Sequence, residues 1–357
     1  MIFKYKYVLI ILLTVIFVVY VLFTQYNDEP QYLRFVKYTQ TYNSTHIFDL
    51  KFDYVIKNNC TKDGAIKAIQ IVTSFTGNVE ARSALRRAYP KDELENLGVY
   101  RVFLLAMLKP GVSEVTQNAV LHENNRYNDI VQGNFLEHYR NLTYKHIMGL
   151  RWAATECGAE YIIKMDDDII VDMYSLMNLL DSKRKTTDFD FLGYTFKDMR
   201  PIRLEANKWY VTEDEFTPDS YPVFVSGWLY VIKSDSAKKL LNALRSERYF
   251  WIDDVFVTGV LAEKAHLSYE NMQEYFTTNP EYFECCLRDK VKCGFIVGPS
   301  GGDYSINIDF QVHSKMCHEH NNCTTYSNGK TFRNSCVVSR KFPPIGKGFA
   351  KLDVVKL

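Results

Sequence analysis

The chain predicts an α/β domain built on a largely parallel sheet, on three observations. Segments rich in β-branched residues alternate with segments of helical period. The strand-like segments are apolar almost throughout, as strands covered on both faces are. Three consecutive carboxylates, Asp166-Asp167-Asp168, close one of those segments, the position at which open α/β sheets bind ligands.

Taken in order, residues 66–75 form the first buried strand. Residues 79–89 continue at helical spacing with arginines on one side and stop at Pro90. Residues 99–108 give a second strand, ended by Lys109-Pro110-Gly111. Leu142, Leu150, Ala153, Ala154 and Cys157 recur at helical spacing within 141–157, and the strand 161–165 leads into the aspartates. Beyond them, 200–220 is long, polar and aromatic, 221–232 is strand-like around Ser226-Gly227, and 234–247 is helical. No internal repeat or low-complexity tract interrupts the order.

A length of 357 residues with 47% hydrophobic and 24% charged side chains suits one large domain or two smaller ones. The formal net charge of +1 leaves no electrostatic footprint for nucleic acid. Residues 7–23 carry no charge, with Lys4 and Lys6 before them and Asp28 and Glu29 after. That pattern predicts a signal anchor with the short N-terminus in the cytoplasm and the remainder in a lumen. A cleaved signal peptide fits less well, because the apolar run exceeds the usual core of about 7–15 residues and no small-x-small site follows. The expected organisation is a cytoplasmic tail at 1–6, an anchor at 7–24, a stem at 25–64, a folded domain at 65–340 and an irregular tail at 341–357.

Four Asn-x-Ser/Thr triplets, at Asn43, Asn59, Asn141 and Asn322, are candidate glycosylation acceptors in a lumen. All eight cysteines follow the anchor: Cys60, Cys157, Cys285, Cys286, Cys293, Cys317, Cys323 and Cys336. An oxidising compartment lets them pair, and the late group lacks the paired C-x-x-C spacing of a zinc site, so disulfides are expected.

Carboxylates held at the end of a buried strand cost several kcal/mol unless a cation or strong donors compensate them. An Asp-x-Asp pair supplies hard oxygen ligands for Mn²⁺ or Mg²⁺ and leaves coordination places for substrate phosphates. The competing reading is a solvated acidic loop, which the apolar residues on either side disfavour.

Further motifs follow one another in a fixed order. They run from Arg82-Ser83-Ala84-Leu85-Arg86-Arg87-Ala88-Tyr89 through Glu123, Asp129-Ile130 and Asn141-Leu142-Thr143-Tyr144-Lys145 to Lys164-Met165-Asp166-Asp167-Asp168. Pro201-Ile202-Arg203, Lys208-Trp209-Tyr210-Val211, Tyr221-Pro222, Ser226-Gly227 and Asp253-Asp254-Val255 with Gly259 complete the series, with an echo at Val312-His313-Ser314. This series, over roughly 66–265, resembles the Golgi β1,3-galactosyltransferases and β1,3-N-acetylglucosaminyltransferases, glycosyltransferase family 31.

The resemblance implies a GT-A fold and inverting transfer of a sugar from a UDP-sugar to a hydroxyl of a glycan, on a glycoprotein or glycolipid, at the Golgi membrane. Galactose is the first expectation for the sugar and N-acetylglucosamine the second. Asp166 and Asp168 match the metal and donor site, and His313 matches a late histidine that would add a ligand. Asp254 matches the general base, with Asp253 in the preceding acidic position; a helix cap is the structural alternative for both. Arg82 and Arg86, four apart on one helix face, are implied donor contacts, with a solvated helix face the alternative, and Lys145 and Lys164 are weaker candidates of the same kind. Trp209 and Tyr210 are either a sugar-stacking platform or core aromatics.

Two departures from the family pattern stand out. Val225 replaces a frequent cysteine before Ser226-Gly227, and Ala88-Tyr89 replaces Thr-Trp. Trp228, after the glycine, stands where it could shape acceptor choice. For a phosphohydrolase the chain shows no adjacent aspartyl nucleophile motif and no second metal cluster, and a silent glycan-binding relative is disfavoured by the intact Asp168 and Asp254.

Overall fold

The structure is a computed structural model that describes residues 52–60, 66–109, 111, 113–319, 323–325 and 335–336. The expected cytoplasmic tail, anchor, most of the stem, the tail at 341–357 and the sequons at Asn43 and Asn322 lie outside the described residues. Among the described residues no helix is long and apolar enough to cross a membrane.

The strands are β1 (Tyr54–Lys57), β2 (Ala68–Thr73), β3 (Val99–Met107), β4 (Ile130–Leu136), β5 (Tyr161–Asp166), β6 (Ile169–Val171), β7 (Phe191–Phe196), β8 (Phe224–Lys233), β9 (Tyr269–Asn271) and β10 (Val297–Pro299). Among the described residues one eight-stranded sheet runs β1-β4-β3-β2-β5-β8-β7-β9, and β10 pairs with β6 in a small second sheet. The run β4-β3-β2-β5 is parallel, whereas β1 and β8 join it antiparallel. The α/β expectation therefore holds, with a mixed rather than uniform sheet.

The main helices are α1 (Val79–Ala88), α2 (Gln117–Tyr127), α3 (Leu142–Glu156), α4 (Met173–Thr186), α5 (Ser234–Ala243), α6 (Glu281–Asp289) and α7 (Ser305–Glu319). Side chains alternate across each strand, so Ile69 and Ile71 of β2 face the core shared with α3 and α5, while Ala68 and Val72 face the one shared with α1 and α4. The expected strand 221–232 begins only at Phe224, since Pro222 has no N–H for a ladder. The expected helix 234–247 ends at Ala243 and continues as a 3₁₀ turn, Leu244–Ser246. Helix α2 had no readable period because Val120 is its only buried residue; Thr116 caps it and left-handed Asn128 ends it.

One boundary moves. The stem was expected to reach residue 64, yet Tyr54–Lys57 pair with β4 as the sheet edge, and four residues are too short for alternation to announce a strand. The sequon at Asn141 is structural: Asn141 is 4% exposed and donates to the Leu136 carbonyl at 2.7 Å, and buried Thr143 donates to the Phe250 carbonyl at 2.8 Å. Asn59, by contrast, is exposed. Peptide mapping of chain made in the secretory pathway is expected to find glycan on Asn59 and Asn141 bare; an occupied Asn141 would overturn the burial argument.

All eight cysteines pair, as 60–157, 285–336, 286–293 and 317–323. The first bridge ties the end of the β1 segment to the residue after α3 across a separation of 97 residues, worth about 4–5 kcal/mol in the loop-entropy account.

Successive strands β2, β3 and β4 step outward on one side, and β5 returns to the other side of β2. The order reverses at the carboxyl ends of β2 and β5, the place where open α/β sheets have their ligand crevice. The aspartate triplet stands there.

Candidate active site

Strand alternation places Lys164 and Asp166 on the same face of β5. Lys164, almost fully buried, bonds Asp166 Oδ1 through its ammonium at 2.7 Å and also donates to the Gly227 carbonyl on β8. Asp166 sits at the floor of the crevice with a third of its side chain open, and burial pushes its carboxyl up to about 7 against the pull of Lys164. Asp168 is exposed; crowding by protein still raises its carboxyl, with Lys164 and Lys208 opposing. Asp167 turns the other way and accepts from Ser74 Oγ at 2.7 Å and Asn78 Nδ2 at 3.0 Å, which ties β5 to the loop after β2. Burial raises it to about 6. Its side chain is a clamp between the strand and that loop.

Asp253 and Asp254 lie at the mouth of a π-helical turn, Val255–Val260, a wide turn of the kind frequent at functional sites. Asp253 Oδ2 meets Nδ1 of His146 from α3 at 2.9 Å, and the other imidazole nitrogen meets the Tyr230 hydroxyl of β8. A carboxylate only accepts, so Nδ1 carries the proton and Nε2 accepts from Tyr230. Burial lowers the His146 pKa and keeps the ring neutral. Burial alone would raise Asp253, but the His146 bond and the Lys164 charge outweigh it and hold Asp253 ionised.

Asp254 has the opposite bias. Burial, and then the charge of Asp253, push its carboxyl up, although the amides of Val255 and Gly227 pull it down. It caps the turn through Val255 N at 2.8 Å, so the helix-cap role is real. It also faces Gly227: a Cβ there would lie 3.4 Å from Lys164 Nζ and 3.7 Å from Asp254 Oδ2. Lys164 and Gly227 thus bring the triplet and Asp254 to one place, although nearly ninety positions separate them in sequence.

The implied donor contacts fall elsewhere. Arg82 is fully buried, and all five of its N–H donors are used: two on Glu123, the others on Ser74 Oγ and the carbonyls of Phe75 and Thr76. Arg86 pairs with Asp129 at 2.8 and 2.9 Å and with Glu123 at 2.7 Å. Lys145 is equally occupied, by the Ser74 carbonyl at 2.7 Å and both Glu137 oxygens. Arg82 and Lys145 pin three successive carbonyls of the loop 74–76, the wall against which Asp167 is clamped, while Arg86 braces Glu123, so all three cations are engaged within the protein.

His313 is also displaced from the triplet. The end of α7 nearest the site is marked by Tyr304, whose hydroxyl accepts from Asn78 at 3.1 Å; eight residues of helix carry His313 about 12 Å further along the axis. There it is buried, with Nε2 on the Val291 carbonyl at 2.9 Å and the 317–323 disulfide beside it. Cys317 and Cys323 cannot complete a metal cluster with it while bonded to each other.

Sequence reading missed two tyrosines. Tyr139, partly exposed, accepts from the Trp209 indole at 2.9 Å, and its pKa rises to about 12 through burial, with Asp253, Asp254 and Asp166 adding to the effect. It therefore lies within electrostatic range of all three carboxylates. Lys208 lies over its ring at 4.4 Å, and exposed Trp209 extends the surface, so Trp209 is a rim aromatic and not core. The Tyr221 hydroxyl is buried without a hydrogen-bond partner and feels the charge of Asp254. Only the Tyr221-Pro222 motif gave any signal of it; Tyr139 gave none.

A sequence profile of the galactosyltransferase family matches residues 80–273, which contain the triplet, Asp253 and Asp254 but not His313. Human β-1,3-galactosyltransferase 5 is 32% identical over 232 residues, 64% of this chain and 74% of that protein. Human β-1,3-galactosyltransferase 2 is 34% identical over 198 residues, 55% of this chain and 47% of that protein. Among solved structures, the WbbM bifunctional glycosyltransferase superposes with a TM-score of 0.37 at 11% identity, over 75% of this chain and 53% of that one, too loose a likeness to bear on the site. With more than half its length inside that profile, the chain belongs to the galactosyltransferase family and is a glycosyltransferase.

Proposed function

We propose that the protein moves galactose from a UDP-sugar to a glycan hydroxyl, forming a β1,3 linkage with inversion, and that Asp166 and Asp168 hold a divalent cation. The meeting of the triplet and Asp254 across Lys164 and Gly227 carries this reading. The names of the two human relatives favour galactose over N-acetylglucosamine. By resemblance and by apolar residues 7–24, it acts as a type II protein of the Golgi membrane on glycoprotein or glycolipid acceptors.

The donor set suits Mn²⁺ or Mg²⁺. Two carboxylates stand at a strand end, both raised by burial, so additional positive charge is favourable beside them. A bound cation supplies Lewis-acid stabilisation of the charge left on the departing phosphate. His313 is left out of that set on the geometry above.

The chain's own groups do the rest. Lys164 fixes Asp166 against β8, and the pinned loop 74–78 forms the opposite wall. Asp254 takes the proton of the acceptor hydroxyl as its oxygen bonds to the anomeric carbon, on the face opposite the breaking carbon–phosphate-oxygen bond. Neutral His146 and ionised Asp253 keep that carboxyl basic.

Purified full chain, Mn²⁺, UDP-galactose, UDP-N-acetylglucosamine and a panel of glycans would be followed by UDP release and glycan mass. Galactose on the glycan is expected; use of UDP-N-acetylglucosamine alone reassigns the donor. Free sugar without acceptor points to hydrolysis, and glycan binding without turnover to a silent relative. Calorimetry of Asp168→Asn with UDP is expected to show the Mn²⁺-dependent gain in affinity cut by more than about tenfold, since a bound cation contributes several kcal/mol. An unchanged Mn²⁺ response removes Asp168 from the metal site.

A further inference from the structure

A groove of 960 Å³ opens at the edge of the main sheet, beyond β7 and β9, and none of the residues discussed so far lines it. Tyr194, Phe276, Tyr282 and Phe295 give it aromatic faces, and Asn271, Gln273 and Asn279 give it amides. Among the described residues Glu274 is the one charged residue in its lining, and no lysine or arginine lines it. Such a wall suits a neutral polyhydroxylated ligand, whose C–H faces stack on rings and whose hydroxyls bond amides, and it does not suit a diphosphate.

The walls are held in place. Gln273 Nε2 donates to the Tyr194 hydroxyl at 3.1 Å, and Tyr194 meets the Phe276 ring edge-on at 5.5 Å. Phe276 bridges to Val297, and Ile296 N and Thr277 N donate to the Tyr275 and Val297 carbonyls at 2.7 and 2.9 Å. One side of the groove thus belongs to the main sheet and the other to Gly294 and Phe295, which lead into the strand β10 that pairs with β6 directly after the triplet.

Register fixes its relation to the carboxylates. Lys164 pairs with Tyr230, Tyr230 with Gly193, and Gly193 with Asn271, so one rung of the sheet leads from the lysine that bonds Asp166 to the groove. Three strand spacings make about 14 Å. The strands β5, β7 and β9 all point the same way, so the groove opens at the end of the sheet where the triplet lies.

We infer that this groove binds the internal sugars of the acceptor glycan while its terminal residue lies at Asp254. This rests on the glycosyl-transfer reading above, and it makes the enzyme selective for oligosaccharide over monosaccharide acceptors. A volume at the upper end of ligand pockets, about 300–1,000 Å³, accommodates more than one ring.

Gly294→Trp tests it. Gly294 lines the groove and a Cβ there meets no atom within 4 Å, so the new side chain starts without a clash at its root. Acceptors would be methyl β-glycosides of galactose, N-acetylglucosamine and N-acetylgalactosamine, each beside a tetrasaccharide ending in the same residue. The native chain is expected to show a KM at least tenfold lower for the tetrasaccharide it uses. Gly294→Trp is expected to raise that KM to the monosaccharide level, with kcat and monosaccharide kinetics within twofold. Asn279→Ala, at an exposed lining position, is expected to raise the tetrasaccharide KM severalfold with an unchanged melting temperature. Native chain without a length preference, or a variant that slows both acceptors alike, overturns the proposal. Saturation-transfer NMR with the tetrasaccharides and no donor gives an arm independent of turnover. Contacts to internal sugars that vanish in Gly294→Trp support the groove even if no transfer occurs, whereas transfer without such contacts sinks the groove alone.

Discussion

Asp254→Asn is expected to lower kcat by about 10² to 10⁴-fold, the range contributed by a positioned general base, while UDP binding stays within twofold. An asparagine oxygen still accepts from Val255 N, so the cap survives and the loss belongs to chemistry. Asp253→Asn serves as the comparison: its amide oxygen still accepts from His146, but it relieves the charge that keeps Asp254 basic, so it should be less damaging to kcat and should shift the pH profile. In the native enzyme the base must be ionised, and its pKa is raised. Activity is therefore lost as pH falls through a value clearly above the ordinary carboxylate region near 4. Rates of both variants from pH 5 to 9, with UDP titrations beside them, decide the matter. If Asp253→Asn is the more severe in kcat, the base has been assigned to the wrong aspartate.

The second large effect is on stability. Glu123 accepts from both Arg82 and Arg86, and burial, which would raise its carboxyl, is outweighed by those two guanidinium groups. Glu123→Ala leaves a fully buried guanidinium with two unmet donors, and removing one partner of a buried pair costs about 3–5 kcal/mol. A fall in melting temperature on the order of 10 °C follows. Because Arg82 holds the Phe75 and Thr76 carbonyls, the loss should also loosen the loop 74–78 and raise the donor KM more than it lowers kcat. Arg82→Lys is no rescue, since three donors on a point charge cannot replace a five-donor fork. Thermal melts with and without UDP check this; a change under 2 °C would show that the donors freed by Glu123 find other acceptors.

These two sites mark the reach of sequence reasoning. The strands β2, β3 and β5 and the helices α1 and α3 were legible because buried strands and amphipathic helices carry strong periods, and the order of motifs carried the family. The site's two acidic halves were legible as residue types at a strand end and before an apolar turn. Spacing tells which residues share a helix face but not what that face meets. Arg82 and Arg86 therefore looked like ligand contacts, when Glu123 and Asp129 from α2 and the residue before β4 consume them. His313 matched a motif whose place in space depends on where α7 docks, which no local pattern records. Tyr139 and the Asn271 groove come from long-range register, the property least visible in a linear string.

The sheet's order has a practical corollary for surface attachment. β1 forms one edge and β9 the other, so the chain enters the folded body at the margin furthest from the proposed glycan groove. Seven strand spacings amount to about 34 Å. A bead, an electrode or a fusion partner joined ahead of residue 52 would therefore stand on the far flank and leave the β9 margin unobstructed. A partner joined near residue 279 would sit on the groove itself.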